Sequence, residues 1–111
     1  MKTATDMTGL CPLNAFNQAV GGKYKMRIVW ELTQGPQRFG ELSRSAIVTA
    51  MGKPVTPRVL SRELKELEQR GLIHRKQYPV IPPKVEYSLT DFGRSIVPVI
   101  GQIVNWGLAH R

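Results

Sequence analysis

A chain of 111 residues has room for one domain with a modest core, and little room for a cofactor cleft beside it. With 41% hydrophobic and 22% charged residues, it has the composition of a packed globular protein and not of a disordered one. Sixteen Lys and Arg against eight Asp and Glu leave a net charge of +8. That surplus calls for a polyanionic partner, nucleic acid first and an anionic membrane surface second.

Residues 1–10 read as a polar tail and 11–111 as a single domain. MKTATDMTGL lacks the apolar stretch of a signal peptide, and no run approaches the roughly 20 apolar residues of a membrane span. A cytoplasmic protein without membrane attachment is expected. The single Cys11 excludes an internal disulfide, and two distant histidines make no metal cluster.

Cys11-Pro12 precedes LNAFNQAV, where Leu13, Phe16 and Val20 recur at helical spacing until Gly21-Gly22. Pro12 suits a first turn, because its missing N–H has no intrahelical partner there. A second helix is predicted in KYKMRIVWELTQ, with Met26, Val29, Trp30 and Thr33 on one face, flanked by Ile28 and Leu32, and Gly35-Pro36 as its stop. Phe39 and Leu42 indicate a short third helix, weakened by Gly40. The stretch AIVTAMGKPV, 46–55, reads equally as an extension of that helix or as a loop ended by Gly52 and Pro54.

TPRVLSRELKELEQRG carries the clearest helical signal: Thr56 as N-cap, Pro57 at the first helical position, Gly71 as the stop. At about 100° per residue, Leu60, Leu64 and Leu67 share one side, while Arg58, Arg62, Lys65 and Gln69 cluster opposite, with Glu63, Glu66 and Glu68 read as surface decoration. A basic ridge of this kind is either a DNA contact or an ordinary solvated face.

Two antiparallel strands are predicted at 72–78 and 84–89, with Val85, Tyr87 and Leu89 on one face and Glu86 and Ser88 on the other. Pro79, Pro82 and Pro83 cannot donate to a ladder, so the connection is expected to be an extended, polyproline-like loop flanked by Arg75, Lys76 and Lys84. A stiff basic protrusion beside a basic helix can grip two stretches of phosphate backbone with little ordering cost. Read without a ligand, it is a structural hairpin with incidental lysines.

Thr90 is expected to cap a final helix through about residue 109, with Pro98 as a kink. Phe92, Ile96, Val99, Ile100, Ile103 and Trp106 form one stripe, widened by Val97, Val104 and Leu108. So much apolar surface on one helix fits a partner helix from a second subunit, together with Phe16 of the first helix, or else an entirely internal core.

Taken together, Cys11-Pro12, GGKYKMRIVWEL, GPQRFGELSR and TPRVLSRELKELEQRGLIHRKQYPVIPPKVEYSLTDFG resemble the HxlR-type family of bacterial winged helix-turn-helix transcription regulators. The resemblance runs from Cys11 to about Trp106. It implies a mainly α fold with a small antiparallel β-hairpin, a homodimer joined through the first and last helices, a recognition helix near 57–69 in the major groove, and a wing near 79–84. Arg58, Ser61 and Arg62 match recognition-helix positions that face DNA, and Lys84 the basic wing position. Lys23 and Lys25 match a lysine-containing motif, as phosphate contacts or as helix caps. Tyr24 replaces the usual tryptophan, and the connection through AIVTAMGK is longer than usual.

Two such units would read an inverted repeat in double-stranded DNA, Arg58 and Arg62 pairing with guanines and Lys65 and Lys84 touching phosphate. The family includes regulators that sense oxidants or electrophiles through an N-terminal cysteine at this place. Resemblance therefore implies a small oxidant or electrophile acting on Cys11, whose position before a helix N-terminus favours a thiolate; a lone cysteine is otherwise a small buried hydrophobe. No Gly-rich phosphate loop or hydrolase motif points to an enzyme, and no cofactor is expected. A nonspecific or RNA-binding winged helix without thiol sensing is the competing reading, disfavoured by the lack of an aromatic stacking platform.

Overall fold

The computed structural model describes residues 11–45, 47–49 and 55–111. In chain order it forms α1 (Pro12–Val20), α2 (Lys25–Leu32), α3 (Phe39–Arg44), α4 (Pro57–Gln69), β1 (Ile73–Tyr78), β2 (Lys84–Leu89), α5 (Asp91–Ser95) and α6 (Val97–His110). The proposed tail 1–10 and most of AIVTAMGKPV lie outside the described residues; 47–49 form a turn that buries Val48.

α4 begins and ends as its sequence dictates. Thr56 Oγ1 accepts the Val59 N–H at 3.2 Å, and Pro57 opens the helix. At the other end Gly71 takes a φ of +79°, where a side chain would be strained. There the Leu72 N–H reaches Leu67 O and the Gly71 N–H reaches Glu68 O, each at 3.0 Å. Leu72 and Leu67 are both buried, which completes the apolar contact of this C-terminal cap.

The core gathers Leu60, Leu64 and Leu67 of α4 with Ile28, Val29 and Leu32 of α2, Leu42 of α3, Ile73 and Leu89 of the hairpin, and Ile100 of α6. α2 turns further inward than expected. Lys25, Ile28, Val29, Glu31 and Leu32 are its buried residues, Met26 and Trp30 are half-buried, and Thr33 is exposed. Met26 and Trp30 fill the flank because α6 crosses there, with Gly101 facing the Trp30 ring.

β1 and β2 pair from Ile73↔Leu89 to Tyr78↔Lys84. A further bridge joins Gln37 to Tyr87, with the Tyr87 N–H donating to Gln37 O at 2.8 Å and the Gln37 N–H returning at 2.9 Å. The segment before α3 thereby covers the free edge of β2 near the core, which blunts edge pairing. The turn itself departs from an extended polyproline arm. The Val80 N–H folds back onto Tyr78 O at 2.8 Å, and the chain bends again at 81–82, so the tip is compact.

The final helix is broken rather than kinked. Thr90 Oγ1 accepts the Gly93 N–H at 2.9 Å and donates to Gly71 O, so one hydroxyl starts α5 and satisfies the end of α4. α5 stops at Ser95, and Pro98 sits in the first turn of α6, where its missing N–H costs little. α6 divides its apolar residues between two sides. Val97, Ile100 and Val104 pack inward, Val99 and Trp106 are 45% and 66% exposed on the other side, and Ile103, 45% exposed, lies between them at the rim of a cavity that Ile100, Val104, Met26 and Trp30 also line. Ile100, expected on the interface stripe, is a core residue of its own protomer.

Candidate nucleic-acid interface

α4 presents Arg58, Ser61, Arg62, Lys65 and Gln69 to solvent. Their spacing of three and four residues places them on about 100° of arc, opposite the buried leucines. The leucines fix the helix roll, and the roll puts every polar group of that arc outward.

The same roll brings two of the three helix glutamates inward. Glu63 is buried, and Lys25 Nζ donates to both of its carboxylate oxygens at 3.0 Å and to Glu66 Oε1 at 2.7 Å. Glu63 therefore does not decorate the surface, and Lys25 neither caps α2 nor reaches for phosphate. It is the tie between α2 and α4. The Lys25 hydrogen bond, followed by the charges of Lys25, Arg70 and Arg62, holds the Glu66 carboxyl below its ordinary value. Lys23 is exposed, its ammonium 5.5 Å from the centre of the Tyr24 ring.

The hairpin splits its three cations. Lys76 and Lys84 lie on one face, with their ammonium groups 4.8 and 4.7 Å from the Tyr78 ring centre. Arg75, exposed, alternates to the other face, opposite Tyr87. Glu86 accepts the Tyr78 hydroxyl at 2.7 Å and lies 3.7 Å from Lys84 Nζ. The hydroxyl, ahead of the Lys84 charge, lowers the Glu86 carboxyl from its usual range, and the same bond raises the Tyr78 phenol. Lys84 is thus held at the base of the wing but keeps about a third of its side chain exposed.

Two basic elements, the outer arc of α4 and the hairpin beyond it, make the arrangement of a winged helix-turn-helix. The model of the HxlR-like helix-turn-helix family matches residues 19–111. The chain belongs to the HxlR family. It is 39% identical over 101 residues to the uncharacterized HTH-type transcriptional regulator YybR of Bacillus subtilis (strain 168), covering 91% of this chain and 76% of YybR. To the uncharacterized HTH-type transcriptional regulator YdzF of the same organism it is 42% identical over 110 residues, covering 94% and 95% of the two chains. Among solved structures, the redox regulator HypR in its oxidized form superposes with a TM-score of 0.79 at 38% identity, over 91% of this chain and 98% of HypR.

As an HxlR-family winged helix, the chain is a transcription regulator, with α4 as the second helix of the helix-turn-helix and β1–β2 as the wing. Cys11 stands apart from both basic elements, part-buried at the N-terminal cap of α1. Phe16 packs partly on the protomer's own core, and Leu13 is the large exposed hydrophobic residue of α1. No helix among the described residues is long and apolar enough to cross a membrane, and they hold no cluster of three potential metal ligands.

Proposed function

We propose that the protein is a homodimer that binds an inverted-repeat operator in duplex DNA. The observation that carries this reading is the outer arc of α4, where Arg58, Ser61, Arg62 and Lys65 are all exposed and the opposing leucines hold the helix in place. Arg58 and Arg62 can pair bidentately with guanine O6 and N7, while Lys65, Lys76, Lys84 and Arg75 supply phosphate contacts. Two-fold symmetry then sets half-sites about one helical turn apart. Fluorescence anisotropy with the duplex upstream of the protein's own coding region, against a shuffled duplex at fixed salt, tests the reading. Equal binding to both would favour a nonspecific or RNA-binding protein.

The dimer is supported by α6, whose own protomer covers Val97, Ile100 and Val104 but leaves Val99, Ile103, Trp106 and Leu108 largely exposed. Val99, Ile103 and Trp106 then meet a second copy, and Leu13 and Phe16 of α1 are proposed to complete the interface. Ile103→Glu is expected to give a folded monomer by light scattering, with operator affinity reduced about a hundredfold or more as the two half-sites uncouple. A dimer that persists in Ile103→Glu would move the interface elsewhere.

Cys11 is the proposed site of oxidant or electrophile sensing. Its support is the likeness to HypR, a redox regulator, and the place of Cys11 at the start of α1, part-buried just ahead of Pro12. Modification there would act on the dimer before it acts on the DNA contacts. Oxidant is expected to release wild-type protein from its operator and to leave Cys11→Ser bound; release of both would clear Cys11 of the role.

A further inference from the structure

Between α2 and α6 lies a cavity of about 570 Å³, a volume in the range of small-molecule sites. Met26 and Trp30 of α2 and Ile100 and Val104 of α6 line it, and Lys23 and Arg27 are the charged residues of its lining. On α2, Met26, Arg27 and Trp30 fall on the side away from Lys25, Ile28, Val29 and Leu32, so the cavity lies across the helix from the tie to α4. The backbone holds Arg27 in place. Its Nε donates to Lys23 O at 3.2 Å and its Nη1 to Ile47 O at 3.3 Å, which orients the guanidinium and leaves Nη2 without a partner among the described residues. Neither Arg27 nor Lys23 meets a carboxylate among those residues.

We propose that this cavity binds an aromatic carboxylate. An apolar lining beside two uncompensated cations suits an apolar body with one negative charge, and a guanidinium fixed in advance suits a planar carboxylate. Trp30 and Met26, four residues apart on α2, offer an aromatic surface and a polarisable thioether, which favour an aromatic body over an alkyl chain. A second copy of the chain does not meet the same need. Neither α1 (PLNAFNQAV) nor α6 (VPVIGQIVNWGLAH) contains an acidic residue, so the helices of the proposed interface bring no counter-charge to Arg27 and Lys23. A duplex phosphate would neutralise the cations but leave the apolar lining in water.

The site touches the elements on which operator binding depends. α2 carries Lys25, bonded to Glu63 of α4, and Ile103 of the proposed dimer face also lines the cavity. The bound carboxylate is therefore an effector of operator affinity, a consequence that rests on the duplex-binding reading above.

Isothermal titration calorimetry of the full chain with 2-naphthoate, 2-naphthamide and decanoate tests the site. Wild-type protein is expected to bind 2-naphthoate about tenfold or more tighter than the neutral amide of the same shape, through the charge-assisted hydrogen bond, and tighter than decanoate. Arg27→Gln should bring the naphthoate and naphthamide affinities together. Val104→Phe, with its fold checked by thermal unfolding, fills the cavity and should weaken both naphthyl probes. Equal wild-type affinities for the two, binding of neither, discrimination that survives in Arg27→Gln, or undiminished binding by folded Val104→Phe would overturn the site. Decanoate bound as tightly as 2-naphthoate would overturn the aromatic assignment. In operator anisotropy, 2-naphthoate at a concentration that saturates the wild type is expected to shift its DNA affinity, and the operator should shift naphthoate affinity by the same factor. An unchanged operator affinity would overturn the effector role. Calorimetry uses no DNA, so a failed site and a failed duplex reading are told apart.

Discussion

Lys25→Met is expected to lower folding stability by about 3–5 kcal/mol, because it leaves the buried Glu63 carboxylate without its counter-charge. Lys25 and Glu63 are 4% and 5% exposed, so water cannot take the place of the lost ammonium. Urea denaturation at fixed protein concentration measures the loss. Lys25→Met combined with Glu63→Leu should recover most of it, since an apolar pair in place of a buried ion pair is often neutral. A double variant no better than the single one would mean that Lys25 matters through its packing and not through its charge.

The same cluster predicts a pH dependence. Glu66 titrates below its ordinary value of 4.5 in the folded protein, chiefly through its hydrogen bond to Lys25. A lowered folded-state value adds stability above the unfolded-state value and loses it as pH falls through the folded one. Wild-type stability should therefore decline on acidification below the ordinary glutamate range, and Lys25→Met should decline less steeply. Equal acid dependence in the two proteins would assign the sensitivity to other carboxylates.

Arg62→Ala is expected to weaken operator binding by about 1–3 kcal/mol per half-site, hence roughly twice that for the dimer, and to weaken binding to a shuffled duplex much less. Arg62 is exposed and carries no core contact, so its unfolding curve should stay near that of the wild-type protein. The ratio of the two affinities at one salt concentration is the quantity that decides. If both affinities fall equally, Arg62 holds phosphate and the reading of guanine passes to Arg58.

The Lys25→Met and Arg62→Ala predictions both turn on the roll of α4, which buries Glu63 and exposes Arg62, yet only the second is legible in the sequence. The basic arc follows from a leucine pattern strong enough to set the roll of the helix. Glu63 was misplaced although a signal existed. At about 100° per residue it lies some 40° beyond Leu67, between the leucine arc and Val59, and Lys25 stands in the i, i+3, i+4, i+7 pattern with Ile28, Val29 and Leu32. Two opposite charges, each in the buried register of its own helix, are a forecast of a pair; which helix meets which is settled only by packing.

Local chemistry determined the element ends: Thr56 and Pro57 at the start of α4, Gly71 at its close, Thr90 ahead of α5, and the two strands that the prolines separate. These depend on φ, on missing N–H groups and on hydroxyls within a few residues, all of which the sequence states directly. Contacts between distant segments were decided only by the tertiary structure. They include the Lys25 tie across 38 residues to Glu63, the Gln37 bridge to Tyr87, and the division of α6 into apolar residues that the protomer covers and apolar residues that it leaves exposed. Periodicity tells how apolar a helix is and on which sides, but the neighbour that removes water from each side is a property of the assembled fold.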